Sequence, residues 1–519
     1  MSESEVKDYV AKQFGDTYDI LYLEKIKYFF ESPINQIYQK LAKVKRESYD
    51  NNQRIVLIDN LTAIKNKQYF YNYLQKIITH LDITNCFVMI VTSDSEVANY
   101  IDIARKTHSQ DQTHIQIEQV MLPNEDVVNP TNFDIPSTMC INPWMGLEIK
   151  HNGHISPCCE YRSPHNKSIA DHSLLDIINS ESQITLKQQF LQGQRPSECQ
   201  KCWNDEYNNK SSKRLRDNYV FREKLFDIDY NNTSATALLS LDIKLRNTCN
   251  LSCRICNPVA SSKWQSEWSK NTDLYPQWDS LKNIKLNWSD DVNSRLWKDL
   301  EQLSSELQYI TFSGGEPLLD KSHVDMLEYF VAKNKFEISL HYNTNGTVYA
   351  SHLIPLWNKF KQIELSFSID NIETKFEYER YGSTWSTVID VINQYKQLDL
   401  NTYKFNVYNT VTVLNILDLY DVFQFCQRYD LPLVFNTLTS PKELNIGVFD
   451  KKQKNYVSNK LLNIQDDKFC QIITPIVSLM NNQITQCDTT DTINYLSVTD
   501  KIRFQNFRTT YPELSSILN

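Results

Sequence analysis

Residues Leu245 to Pro258 read LRNTCNLSCRICNP and place Cys249, Cys253 and Cys256 within a single short loop. Tetrahedral metal sites and iron-sulfur clusters ordinarily take four protein thiolates. The fourth ligand therefore lies elsewhere in the chain, or is absent so that a group other than protein can bind. Immediately before this stretch stands ALLSLDIKL, and after it follow QYITFSG, FEISLHYNTNG, QIELSFSID, YKFNVYNTVTV and LPLVFNTL. These read as six strands, and apolar-periodic stretches such as HVDMLEYFVAK and WSTVIDVINQYKQL separate them. Alternation at βα spacing predicts an α/β fold over residues 236–445, a parallel sheet curled into a partial (β/α)6 barrel whose functional loops follow the carboxyl ends of its strands. The three cysteines follow the first strand.

The chain has 519 residues, enough for about two or three domains. With 41% hydrophobic, 12% aromatic and 23% charged residues it is globular in composition. A net charge of −9 and a pI near 5.7 leave no electrostatic footprint for nucleic acid. The basic run KSSKRLR, Lys210 to Arg216, reads as a solvated linker. MSESEVKDYV lacks the basic start and apolar run of a signal peptide, and no apolar stretch reaches the roughly 18 residues of a membrane span. A cytoplasmic location is expected, with no membrane partner. In that compartment twelve cysteines stay reduced, so close spacings point to metal rather than disulfides.

Outside the barrel, residues 1–130 carry a helical periodicity, YLEKIKYFFESPINQIYQKLAKV, then a strand RIVLIDN, a helix YFYNYLQKIITHL and a strand NCFVMIVTSD. This small α/β region lacks a phosphate-binding glycine loop, and Cys86 reads as a buried apolar residue. Residues 136–206 form a loop-rich, cysteine-bearing segment, 207–235 a helical connector, and 446–519 a helical carboxyl-terminal region in which Cys470 and Cys487 lack close partners.

The spacing CxxxCxxC of Cys249, Cys253 and Cys256, directly after a first barrel strand, resembles the signature of the radical S-adenosylmethionine (radical SAM) superfamily. The resemblance implies that three cysteinates hold a 4Fe-4S cluster whose fourth iron is chelated by AdoMet. SGGEP, with Ser313, Gly314, Gly315 and Glu316, follows the second strand and is similar to the motif that receives the AdoMet amino group. Its adjacent glycines would let backbone approach a ligand closely. Asn345 in NTNG matches the polar residue that such proteins place on the ribose. Ser368 in SID and Arg380 in ERYG match a serine and an arginine around the AdoMet carboxylate, and Asn409 on the fifth strand is a further carry-over. Alone, SGGEP would be an ordinary turn and Arg380 a surface charge. Their order on successive strands carries the resemblance. Ile255 departs from it, because many relatives have an aromatic there.

Cys140 in CINPW, Cys158 and Cys159 in GHISPCC, and Cys199 and Cys202 in CQKC resemble the SPASM or twitch auxiliary domain. Cys140, Cys158, Cys199 and Cys202 would ligate one auxiliary 4Fe-4S cluster, with Cys159 a spare or substitute ligand and structural zinc the alternative occupant. In most relatives that domain follows the barrel; here it precedes it. The implied activity is reductive cleavage of AdoMet to a 5′-deoxyadenosyl radical that takes hydrogen from a substrate. That substrate would be a peptide or protein side chain or a small metabolite, with flavodoxin or ferredoxin as reductant. A non-catalytic iron-sulfur protein for electron transfer or scaffolding is the competing class.

Overall fold

The computed structural model describes residues 19–23, 54–58 and 86–90 of the amino-terminal part, and residues 136–518 apart from 164–166, 209, 229–232, 234–236, 282–287 and 484. The chain divides into two compact units, Met1–Asp134 and Ile135–Asn519. In the first, β1 (Asp19–Leu23), β2 (Arg54–Ile58) and β3 (Cys86–Ile90) form a parallel sheet. β2 and β3 coincide with the two expected strands. β1 occupies the start of the stretch whose periodicity suggested a helix, and the helix expected between β2 and β3 lies outside the described residues.

The second unit is built on one eight-stranded sheet in the order β11-β10-β9-β8-β7-β6-β4-β5. Its six core strands are β6 (Ser240–Ile243), β7 (Tyr309–Phe312), β8 (Ser339–Thr344), β9 (Gln362–Ser368), β10 (Tyr403–Val411) and β11 (Leu433–Thr437). Each is parallel to the next. Two further strands, β4 (Gly146–Ile149) and β5 (Ile155–Ser156), come from the cysteine-rich segment. β4 pairs in parallel with β6 and antiparallel with β5, so this hairpin of the cysteine-rich segment extends the barrel sheet. A free β6 edge would expose unpaired N–H and C=O groups, and β4 covers it.

Strand periodicity sorts the side chains. Leu241, Ile243, Ile310, Phe312, Leu340, Ile363, Leu365, Phe367, Phe405 and Val407 share one apolar core with Met326, Leu327 and Phe330 of the helix Ser322–Ala332 and with Val388 and Ile392 of the helix Trp385–Tyr395. The alternate positions, among them Asp242, Thr311, His341, Glu364, Tyr408 and Asn436, turn inward and line one cavity of about 560 Å³. Because residues of β6 and β11 line the same cavity, the sheet is curled. A second core joins Trp264, Trp268, Val411 and Leu414 to the carboxyl-terminal helices Lys451–Leu462, Asp467–Asn482 and Thr489–Arg503. No helix among the described residues is long and apolar enough to cross a membrane.

Candidate functional site

Loops after four successive strands meet at the three cysteines. The Cys249–Cys256 loop pairs with the chain around Arg380, through Ser252 N to Tyr381 O at 3.0 Å and Arg254 N to Glu379 O at 2.8 Å. It pairs with the SGGEP turn through Glu316 N to Thr248 O at 2.6 Å and Gly315 N to Ala260 O at 3.1 Å. From the β8 loop, Asn345 Nδ2 donates to Asn250 Oδ1 at 2.9 Å and reaches Cys249 Sγ at 3.9 Å. Leu251 N lies 3.5 Å from the same sulfur, and Arg380 Nη1 lies 3.8 Å from Cys253 Sγ.

Burial pushes the Cys253 thiol up to about 11 and Cys256 to about 12, and the thiols raise one another because charging one disfavours charging the next. Three crowded acids ringed by N–H donors and one guanidinium form a donor set that suits an iron-sulfur cluster, whose sulfurs and thiolates are tuned by such hydrogen bonds. Arg254, inside the loop, is itself buried. It pairs with Asp500 at 2.7 Å, lies 3.6 Å from the Tyr378 ring centroid, and donates to Gln505 at 3.0 Å. Tyr495 O–H donates to the Arg254 carbonyl at 2.8 Å. The helix Thr489–Arg503 thus braces the cysteine loop from outside, a role nothing in the local sequence announced.

The expected AdoMet contacts divide. Gly315 has φ +44, and a Cβ there would lie 2.3 Å from the Thr248 carbonyl oxygen. The glycine is required by loop packing as well as by its backbone conformation. Glu316 is turned inward: its carboxylate accepts from Thr344 Oγ1 at 2.8 Å, Asn345 N at 2.6 Å and Leu318 N at 3.2 Å. Burial pushes its carboxyl up to about 7, and the residue works as a tie between the β7 and β8 loops. Ser313 Oγ donates to Asp242 Oδ1 at 2.7 Å, and Ser368 lines the large cavity.

Asn409 faces away from the large cavity. Tyr408 and Thr410 line the cavity, so period-two alternation turns Asn409 to the opposite, helix-covered face. There it is fully buried and donates to the carbonyls of Ile369 and Asp370 at 3.0 and 2.8 Å. Arg380 carries an ion pair within the fold itself. Its Nη2 lies 2.7 Å from Asp370 Oδ2, the aspartate of the SID motif, and its buried Nε has no hydrogen-bond partner among the described residues. Arg380→Ala would leave Asp370 buried without its cation, so it is expected to lower stability by about 3–5 kcal/mol. Chemical denaturation of wild type and variant side by side checks this; a loss below about 1 kcal/mol would show the pair to be dispensable.

The second cysteine group closes around its own small cavity, of about 20 Å³. Cys140, Cys158, Cys199 and Cys202 line it together with Arg214 and Phe190. Asn142 Nδ2 lies 3.7 Å from Cys140 Sγ. Cys158 and Cys159 are adjacent on an extended turn and diverge. Cys158 reaches both cavities, whereas Cys159 lines only the large one. Among the described residues no group of three or more His, Cys, Asp and Glu side chains is placed to hold a single metal ion.

The basic run Lys210–Arg216 is no solvated linker. Lys210, Lys213 and Arg216 line the large cavity, and Arg214 turns to the auxiliary one. Arg214 binds Glu206 at 2.9 and 2.7 Å and the carbonyls of Ser137 and Met139 at 3.0 and 2.7 Å.

Among known families, a model of the radical SAM superfamily matches residues 243–426. A model of the SPASM iron-sulfur cluster-binding domain matches residues 140–203. The SPASM match precedes the radical SAM match. No curated protein matches the chain. Among solved structures, native anSMEcpe with bound AdoMet is 21% identical over 39% of this chain and 53% of that one, with a TM-score of 0.31. The same protein with AdoMet and the Cp18Cys peptide is 20% identical over 43% and 57%, TM-score 0.32. Streptococcus suis SuiB bound to S-adenosylmethionine is 14% identical over 50% of each chain, TM-score 0.29. The chain spans about half the length of these structures.

Proposed function

We propose that this chain, with its radical SAM and SPASM segments, reductively cleaves S-adenosylmethionine and uses the resulting radical to take a hydrogen atom from a peptide or protein side chain or a small metabolite. One observation carries the reading. The loops after β6, β7, β8 and β9 converge on three thiols that sit apart from the four-cysteine group, at the carboxyl ends of the strands, where such folds place their chemistry. When bound, a reduced 4Fe-4S cluster with AdoMet supplies the electron and the 5′-deoxyadenosyl radical.

The chain's own part is to hold and to exclude. Cys249, Cys253 and Cys256 would ligate three irons. Asn345, Leu251 N and Arg380 would donate toward the thiolates and keep their charge stabilised. Ser368 and the SGGEP backbone would orient AdoMet beside the 560 Å³ cavity, whose size suits a small molecule or a few residues of peptide. The cavity wall also includes Cys158, Cys159 and Glu160, so one of the four proposed auxiliary ligands borders it. Cys140, Cys158, Cys199 and Cys202 would hold a second cluster, which would supply an electron acceptor or donor. Anaerobic assay of the reconstituted, dithionite-reduced protein for 5′-deoxyadenosine tests the reading. Iron-replete protein that forms none is a non-catalytic iron-sulfur protein instead.

A further inference from the structure

The helix Lys213–Val220 presents Lys213, Arg216, Asp217 and Val220 to the large cavity, at the three- and four-residue spacing of one helical face. Its other side is fixed: Arg214 and Asn218 are buried and bonded to the segment that carries Cys140, with Asn218 donating to the Met139 carbonyl at 2.8 Å and accepting from Ile141 N at 2.9 Å. The helix is therefore a rigid roof over the cavity, facing the inward polar row of the barrel strands.

The charges on the two walls do not cancel evenly. Five carboxylates line the cavity, and each has a hydrogen-bond or ion-pair partner within 4 Å. Asp205 pairs with Lys201 and Lys210 at 2.6 and 3.7 Å, and Asp217 pairs with Lys213 at 3.0 Å. Asp242 holds Ser313 Oγ and Lys244, Glu364 accepts from Tyr309 O–H at 2.9 Å and Asn406 Nδ2 at 2.6 Å, and Glu160 faces Arg162 at 3.8 Å. Of the three lysine and arginine side chains in the lining, Lys213 is held by Asp217, and Lys210 makes a looser ion pair with Asp205. Arg216 donates only to the Ser211 carbonyl, at 2.8 Å, and has no carboxylate partner among the described residues.

We infer that Arg216 recognises a carboxylate on the substrate, as the side chain of Glu or Asp in a peptide or as a free carboxylic acid. A guanidinium matches a carboxylate with two parallel N–H donors. This rests on the radical SAM reading of the neighbouring site, and it narrows the substrate of that site to an anionic one.

The test uses anaerobically reconstituted full-length protein with AdoMet. It is titrated calorimetrically with Ac-Gly-Glu-Gly-NH2, with its neutral isostere Ac-Gly-Gln-Gly-NH2, and with glutarate. Wild type is expected to prefer the Glu peptide by about tenfold or more, a preference that falls to within about twofold in Arg216→Gln and reverses in Arg216→Glu. Glutarate binding as tightly as the Glu peptide assigns the carboxylate to a small acid, and weaker glutarate assigns it to a peptide. Equal or absent affinity of wild type for the two peptides, or a preference that survives Arg216→Gln, overturns the inference. Because Arg216 is exposed at the cavity wall, its loss leaves no buried charge unpaired and the variants are expected to fold. The 5′-deoxyadenosine assay on the same wild-type sample separates the two levels. Cleavage without a carboxylate preference removes only this inference, and a carboxylate preference without cleavage removes the radical reading.

Discussion

Replacing Cys249, Cys253 and Cys256 together by Ala is expected to reduce 5′-deoxyadenosine formation to the protein-free background, while iron in the reconstituted protein falls from about eight to about four per chain. The two effects are linked through position. The triplet's loop contacts Asn345, Arg380 and the SGGEP turn, whereas the four auxiliary cysteines close around a separate cavity beside Arg214 and Phe190. Removing one ligand set should therefore leave the other able to fill. Retained cleavage in the triple variant would sink the assignment of this loop as the AdoMet centre. Loss of all iron would show instead that the two sites assemble as one.

Cys158→Ala and Cys159→Ala are expected to part sharply. Cys158 shares the small cavity with Cys140, Cys199 and Cys202, so its removal should take away the auxiliary iron, about four of eight. Cys159 lines only the large cavity, so its removal should leave the iron content unchanged. Iron and zinc measured on the same samples check both expectations. The reverse pattern would make Cys159 the ligand. About four irons with stoichiometric zinc in wild type would return the four cysteines to a structural zinc site.

Much of this arrangement was legible in the residues. β6 to β11 fall within the six stretches read as strands, because each pairs an apolar alternation with turn residues at its ends. The cysteine spacings marked two groups, and the family matches fall on those same segments. What escaped was geometry that local sequence does not encode. Asn409 entered the expected site only as a carry-over from the family resemblance, and parity with Tyr408 and Thr410 turns it from the large cavity. That signal was present: in YKFNVYNTV the odd positions are otherwise apolar, and Asn409 keeps their company.

The polar inner row was likewise readable. Parallel strands with helices over both faces are ordinarily apolar on each, so Thr311, His341 and Glu364 recurring at inward positions mark a solvent-filled or ligand-filled interior. KSSKRLR gave no such cue. Its residues separate into cavity-facing and cysteine-facing sets only once the helix Lys213–Val220 is seated between the two sites. Arg380 illustrates a third limit. Its buried partner Asp370 stands ten positions earlier, and only the fold brings the two within 2.7 Å.

Product analysis of the reduced wild-type protein tests the assignment most directly. Anaerobically reconstituted chain is incubated with AdoMet and dithionite, and methionine and 5′-deoxyadenosine are quantified together against a sample without reductant. Both products are predicted in equal amounts, only under reduction, and in step with the iron bound at Cys249, Cys253 and Cys256. Iron-replete protein that yields neither product above the unreduced control would contradict a radical SAM function for this chain.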